Sequence, residues 1–144
     1  MKTELRIHCP VCEVASTVMR KRRATSVGKS TVTVADEWMH CPSCGEDFYT
    51  AAQADQLHLR AIERIRTEEG LLTPDKIKRI RNELGLTQRE FELLLGTGEK
   101  TCVRWETGRV CQSTAADRLI RLLAANRANV AVLAGISGAQ HARQ

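Results

Sequence analysis

Two short segments of this 144-residue chain repeat one pattern, Cys9-Pro10-Val11-Cys12 and Cys41-Pro42-Ser43-Cys44. Two residues between thiolates let a tight turn aim both sulfurs at one ion, and two such turns complete a tetrahedral S4 shell. That donor set suits a structural Zn2+ and leaves no open coordination position for catalysis. The spacing therefore predicts Cys9, Cys12, Cys41 and Cys44 as metal ligands. Residues 13 to 40 make a 28-residue spacer, longer than that of a common zinc ribbon, with room for a β-hairpin. His8 and His40 each precede a knuckle, so a Cys3His shell is an alternative; strand-end histidines are the plainer reading. Four reduced cysteines without metal, or an iron–sulfur centre, are further alternatives, the latter with no other sign of electron transfer in the chain. A zinc deaminase is excluded: no His-x-Glu lies upstream, and each Pro follows its first Cys instead of preceding it. Of the other cysteines, Cys102 stands three residues before Trp105 on one helical face and reads as a small buried hydrophobe. Cys111 falls in a loop with no readable role, and a redox switch between the two is conceivable.

A second chemistry gathers in the other half. If Gly98 to Glu106 is a helix, Cys102 and Trp105 mark its inward stripe, and Glu99, Lys100, Val103 and Arg104 fall on the opposite face. Arg binds guanine bidentately, Lys reaches guanine acceptors, and Val touches a thymine methyl, so this face suits base reading in a major groove. A merely solvated face is the plain alternative. Gln88, Arg89 and Lys76 are candidate phosphate contacts, which position without specifying sequence. Net charge is +5, and residues 1–70 balance 10 Lys/Arg against 10 Asp/Glu, whereas 71–144 carry 12 against 7. All the excess positive charge thus lies where phosphate attraction would place it.

The elements that must hold these groups are punctuated clearly. Val14 to Met19 and Thr31 to Val34 read as strands, joined by a polar connection from the basic run Arg20-Lys21-Arg22-Arg23 through Gly28 to Lys29. Ala51 to Glu68 has helical period, with Leu57, Ala61, Ile62 and Ile65 on one stripe. Thr73-Pro74 opens a helix closed by Gly85, and Thr87-Gln88-Arg89-Glu90 is a capping box whose helix stops at Gly96. A further helix starts at Ser113 or Thr114, Val130 to Leu133 marks a last short one, and Ser137 to Gln144 reads as a frayed tail. The class is α+β: a small zinc-bound β module with one helix over 1–69, then an all-α domain over 70–144. A module of that size rarely holds itself by burial alone, and the metal stands in for the core it lacks. Aromatics make up 3% of the chain, so the cores rest on aliphatic side chains. Leu119, Ile120, Leu122, Leu123 and Val130 to Leu133 offer apolar surface for a dimer seam. Met1 to Ile7 lacks the apolar run of a secretory signal, no stretch approaches a membrane span, and the implied compartment is a reducing cytoplasm.

The run Leu86-Thr87-Gln88-Arg89-Glu90 through Gly96, then Arg104-Trp105-Glu106-Thr107-Gly108, resembles the Xre-type, lambda-repressor-like helix-turn-helix. With the double Cys-Pro-x-Cys module upstream, residues 9 to about 125 resemble the MqsA (YgiT-type zinc finger) antitoxins. Lys100 stands where that family carries Asn, and Glu92 where Xre domains favour a small residue. The resemblance implies an N-terminal zinc domain that binds a toxin, a small ribonuclease, and a C-terminal homodimer on the operon's palindromic double-stranded DNA. It places base readers at Lys100 and Arg104 and metal ligands at the four knuckle cysteines. The competing expectation is a free-standing zinc-containing regulator with no toxin partner. A nucleic-acid enzyme finds no nucleophile–base set here, so a non-enzyme is expected.

Overall fold

A computed structural model describes residues 6–138; the segment before Arg6 and the expected tail beyond Gly138 lie outside the described residues. In chain order the elements are β1 (Thr17–Val27), β2 (Ser30–His40), β3 (Asp47–Phe48), α1 (Ala51–Glu68), α2 (Pro74–Glu83), α3 (Gln88–Leu95), α4 (Thr101–Glu106), α5 (Thr114–Ala125) and α6 (Ala128–Ser137). The class is α+β, as expected. Two compact units meet between Ile65 and Arg66, inside α1. Among the described residues no helix is long and apolar enough to cross a membrane.

The first unit is an antiparallel sheet in the order β1-β2-β3, with Thr17 opposite His40 and Val27 opposite Ser30. Side chains alternate across a strand, and Val32, Val34, Asp36 and Trp38 form the buried row of β2. The basic run corrects the sequence reading. Arg20 to Arg23 belong to β1, which extends to Val27, and only Gly28 and Lys29 make the turn. Cross-strand partners absorb the charge: Arg20 Nε sits 2.8 Å from Glu37 Oε2, and the Arg23 guanidinium lies 3.6 Å from the centre of the Trp38 ring. Such pairs let charged residues occupy a strand that local polarity assigns to a loop. At α1, Thr50 and Gln53 cap reciprocally, Gln53 N donating to Thr50 Oγ1 at 3.2 Å and Thr50 N to Gln53 Oε1 at 3.1 Å. The predicted stripe is in place, with Ala61, Ile62 and Ile65 buried.

The second unit is helical and follows its punctuation closely. Thr73 caps α2, accepting from Lys76 N, with Pro74 in the first turn. The capping box of α3 is complete: Thr87 N donates to Glu90 Oε2 at 2.8 Å and Glu90 N to Thr87 Oγ1 at 3.2 Å. Gly96 then turns the chain at φ 72°, a conformation that other residues adopt at a cost. The next helix differs from expectation: α4 starts at Thr101, so Glu99 and Lys100 precede it instead of lying on its face. Lys100 itself is left-handed at φ 62°, which ends any helical run that would include it. Ser113 caps α5, and α6 is longer than the stretch Val130 to Leu133.

Phe91, Ile77, Ile120 and Leu123 are fully enclosed in one apolar cluster that also takes in Cys102 and Trp105. Ile120 and Leu123 are thus core residues and not free for a dimer seam, whereas Leu122, Val132 and Ile136 are exposed. A buried carboxylate ties the joint after α1 to α5. Asp117 accepts from Leu72 N at 2.8 Å, Gln112 Nε2 at 2.9 Å and Arg121 Nε at 2.7 Å. Burial alone would raise its carboxyl, but the Leu72 amide, Arg121 and Gln112 outweigh it and hold the group below the ordinary carboxylate range.

A depressed folded-state carboxyl contributes stability that is present above the unfolded pKa of about 4 and lost as pH falls through the folded value. Asp117→Asn should therefore destabilise the chain by about 1–3 kcal/mol at pH 7. The gap to wild type should close below about pH 4. Urea unfolding across pH 7 to 2.5 measures both, and a gap that stays constant with pH contradicts the assignment.

Candidate metal centre and nucleic-acid face

The two knuckles fold identically. In the first, Cys9 N donates to Val14 O and Glu13 N to Cys9 O, both at 2.9 Å. In the second, Cys41 N donates to Glu46 O at 2.9 Å and Gly45 N to Cys41 O at 3.0 Å. Each turn closes on a left-handed residue, Glu13 at φ 63° and Gly45 at φ 78°. Sequence reasoning did not single out Glu13; its signal was the position it shares with Gly45. The bridge between His8 and Ala15 carries the first knuckle, and the end of β2 carries the second.

These turns bring all four Sγ atoms within 4.8 Å of one another. Cys9 and Cys44 sulfurs lie 3.6 Å apart, and those of Cys12 and Cys41 3.4 Å apart. A tetrahedron with 2.3 Å Zn–S bonds has edges of ~3.8 Å, so a metal ion such as zinc fits the donor set. Val11 N points to Cys9 Sγ at 3.4 Å. The amide of Cys44, with that of Ser43, holds the Cys41 thiol down to about 6. At Cys44 the Glu46 amide lowers the value, but burial and the neighbouring sulfurs of Cys9, Cys41 and Cys12 push it up to about 12. Crowded thiols cannot all ionise unaided, and a central cation removes that repulsion. Neither histidine joins the cluster. His40 Nδ1 is 2.7 Å from Asp47 Oδ1, and His8 is exposed.

Trp38 is buried beneath the Arg23 guanidinium and presents no ring to a partner. Tyr49 remains exposed along its ring, its hydroxyl donating to Asp36 Oδ2 at 2.7 Å.

In the second unit, Lys100 and Arg104 are exposed one turn apart, Arg104 N donating to Lys100 O at 3.3 Å. Val103 is half-buried. Glu99 is exposed and lies 3.4 Å from Arg89, which is also 3.7 Å from the buried Glu92. Lys76 is exposed on the first turn of α2. Gln88 differs from its expected role, because its amide nitrogen turns inward to Glu106 Oε2 at 2.9 Å. The reason is a buried polar centre that needs donors. Arg81 Nε and Nη2 meet the two Glu106 oxygens at 2.6 and 3.2 Å, and Arg81 Nη1 donates to Leu86 O at 2.8 Å. Burial would raise the Glu106 carboxyl, but Arg81, Gln88 and Cys102 outweigh it and lower it, while Glu106 raises Arg81 further. The pair is ionised and fixes α4 to α2. Cys102 Sγ donates to Glu106 Oε1 at 3.3 Å, and burial, then Glu106, push its thiol up to about 12. Burial raises Cys111 as well. Thiol exchange needs a thiolate, which burial disfavours at both positions.

The sequence profile of a family described as "Antitoxin component of bacterial toxin-antitoxin system, MqsA" matches residues 7–128, which span both knuckles and α1 through α5. A protein of Escherichia coli (strain K12) named "Antitoxin MqsA" is 26% identical over 119 residues, covering 80% of this chain and 90% of the relative.

Elemental analysis of the purified chain should find one Zn per chain. Cys41→Ser should expose the β1–β2 hairpin to rapid proteolysis while leaving the helical core signals of Phe91 and Ile120 in place. A metal-free chain whose first unit remains fully folded contradicts the assignment.

Proposed function

This chain belongs to the MqsA antitoxin family, and on that premise we propose that it both neutralises a toxin and represses its own operon. The observation that carries the proposal is the span of the family match, which takes in the four-cysteine cluster and the α3–α4 pair together. The first unit holds a structural Zn2+ through Cys9, Cys12, Cys41 and Cys44 and captures a cognate toxin, a small ribonuclease. With no open metal position it presents a surface and performs no reaction. The hairpin's exposed Thr31 and Thr33 and the ring of Tyr49 are the contact candidates.

The second unit binds double-stranded DNA. The α3–turn–α4 segment acts as a helix-turn-helix, with α4 entering the major groove. Arg104 and Lys100 read guanine acceptors, Val103 touches a thymine methyl, and Glu99 accepts from a cytosine amino group. Arg89 and Lys76 grip phosphates. Gln88 serves from within, steadying Glu106 at the end of α4. The unit forms a homodimer through exposed apolar side chains, with Leu122, Val132 and Ile136 the candidates; Val132 and Ile136 lie one turn apart on α6. Its operator is a palindrome with half-sites about 34 Å or a multiple apart. The chain works in the cytoplasm and is not an enzyme.

Arg104→Ala should weaken operator binding by about 1–3 kcal/mol and relax preference at one base pair. Lys76→Ala should weaken all sequences alike and reduce the salt slope by about 1. Quantitative footprinting on the DNA upstream of the operon, across salt concentrations, separates the two; unchanged discrimination in Arg104→Ala displaces α4 as the reader.

A fragment covering residues 1–69 should bind the neighbouring gene's product without DNA and relieve its toxicity in cells. The fragment covering 70–144 should repress without protecting. If the first fragment binds no product of its operon and its deletion changes neither growth nor repression, the chain is a free-standing regulator.

A further inference from the structure

The first turn of α4 lacks a cap of its own. Its N-cap residue, Lys100, is left-handed and contributes no side-chain acceptor, although the first amides of a helix have no partner within it. The Cys102 amide, buried with the rest of that residue, finds one elsewhere: it donates to Glu92 Oε1 at 3.0 Å. Glu92 sits on α3 and is 4% exposed. A charged acceptor on a backbone amide makes a short, strong and directional bond, and losing it leaves a buried donor unsatisfied.

We propose that Glu92 is a positioning residue for DNA recognition, whose carboxylate caps α4 from inside and sets the angle at which Lys100 and Arg104 are presented. The inference rests on the reading of α4 as the groove-reading helix. Ordinary N-caps are Ser, Thr, Asp or Asn at the cap position, and their side chains fold back onto the helix. Delegating the cap to Glu92 leaves position 100 free to carry a long, exposed cation at the entrance to the groove. The same carboxylate extends outward. Its Oε2 is 3.7 Å from Arg89 Nη1, and Arg89 Nη2 is 3.4 Å from Glu99 Oε1. One buried group therefore links the α4 amide to a proposed phosphate contact and a proposed base contact. Base contacts tolerate little misplacement, so a small rotation of α4 reduces discrimination more than it reduces phosphate attraction.

The test uses the full chain and two variants. Glu92→Gln keeps an acceptor for the Cys102 amide; Glu92→Leu removes it at similar volume. Amide hydrogen exchange is read at Cys102 against Phe91 and Ile120, and binding is compared on upstream operon DNA and a scrambled duplex. Glu92→Leu should speed Cys102 exchange roughly tenfold or more, with Phe91 and Ile120 unchanged. Its preference for operon DNA should fall roughly tenfold while scrambled-duplex affinity holds within about twofold. Glu92→Gln should restore most of both the protection and the preference, which a merely space-filling role would not require. The proposal is overturned if Glu92→Leu keeps its Cys102 protection or its operon preference, or if Glu92→Gln is as impaired as Glu92→Leu. A wild-type chain without operon preference instead overturns the reading of α4 as a groove reader, and the exchange measurement still decides whether Glu92 caps it.

Discussion

Four sulfurs drawn within 4.8 Å of one another set the terms for the whole first unit. Thiolates at that spacing repel unless a cation lies among them, and the two knuckles that carry them are separated by the long β1–β2 hairpin. Each knuckle is closed by the same pair of backbone hydrogen bonds and by a left-handed residue at the same position, Glu13 or Gly45. What local geometry does not supply is a reason for the two to stay together. A metal held by all four Sγ would supply it, completing with the hairpin's buried row and α1 a core that would be meagre alone. A four-sulfur shell would leave no open coordination position, in keeping with the proposal that the unit acts through its surface.

The second unit is also organised around a polar group, here protein-made. Glu106 takes hydrogen bonds from Arg81, Gln88 and Cys102 in the interior. A buried ion pair is weak evidence for stability, because desolvation offsets much of the attraction. Its geometric consequence is firmer: it fixes the C-terminal end of α4 to α2 and α3, while Glu92 holds the N-terminal end. A six-residue helix is too short to hold its own direction. Pinned at both ends by carboxylates, it presents Lys100 and Arg104 in a fixed register, which base recognition demands and phosphate attraction does not.

Much of this was legible because it depends on neighbours in sequence. The Cys-Pro-x-Cys spacing, the capping box at Thr87 and Glu90, the Thr73-Pro74 start and the stop at Gly96 are local devices with local signals. What was not legible depends on distant partners. Arg20 to Arg23 look like a loop until Glu37 and Trp38 stand opposite. Lys100 fits a helical run by composition, and only its left-handed backbone shows that α4 begins after it. Gln88 looks exposed at a helix start, yet a buried carboxylate 18 residues on turns it inward. Glu92 broke the expected pattern of small residues, and its place beside the Cys102 amide explains why a carboxylate can stand there. Lys100, Gln88 and Glu92, which break a local rule in the second unit, are all engaged around α4.

The central claim is a division of labour: the helical unit reads DNA through the start of α3 and the residues around α4, and the cysteine-centred unit does not. Amide chemical-shift mapping of the zinc-loaded, labelled chain titrated with upstream operon DNA tests it most directly. The account predicts shifts concentrated at Lys76, Arg89, Glu99, Lys100, Val103 and Arg104, with residues 8–48 unmoved. Shifts centred instead on the basic strand from Arg20 to Arg23, with α4 unaffected, would contradict it.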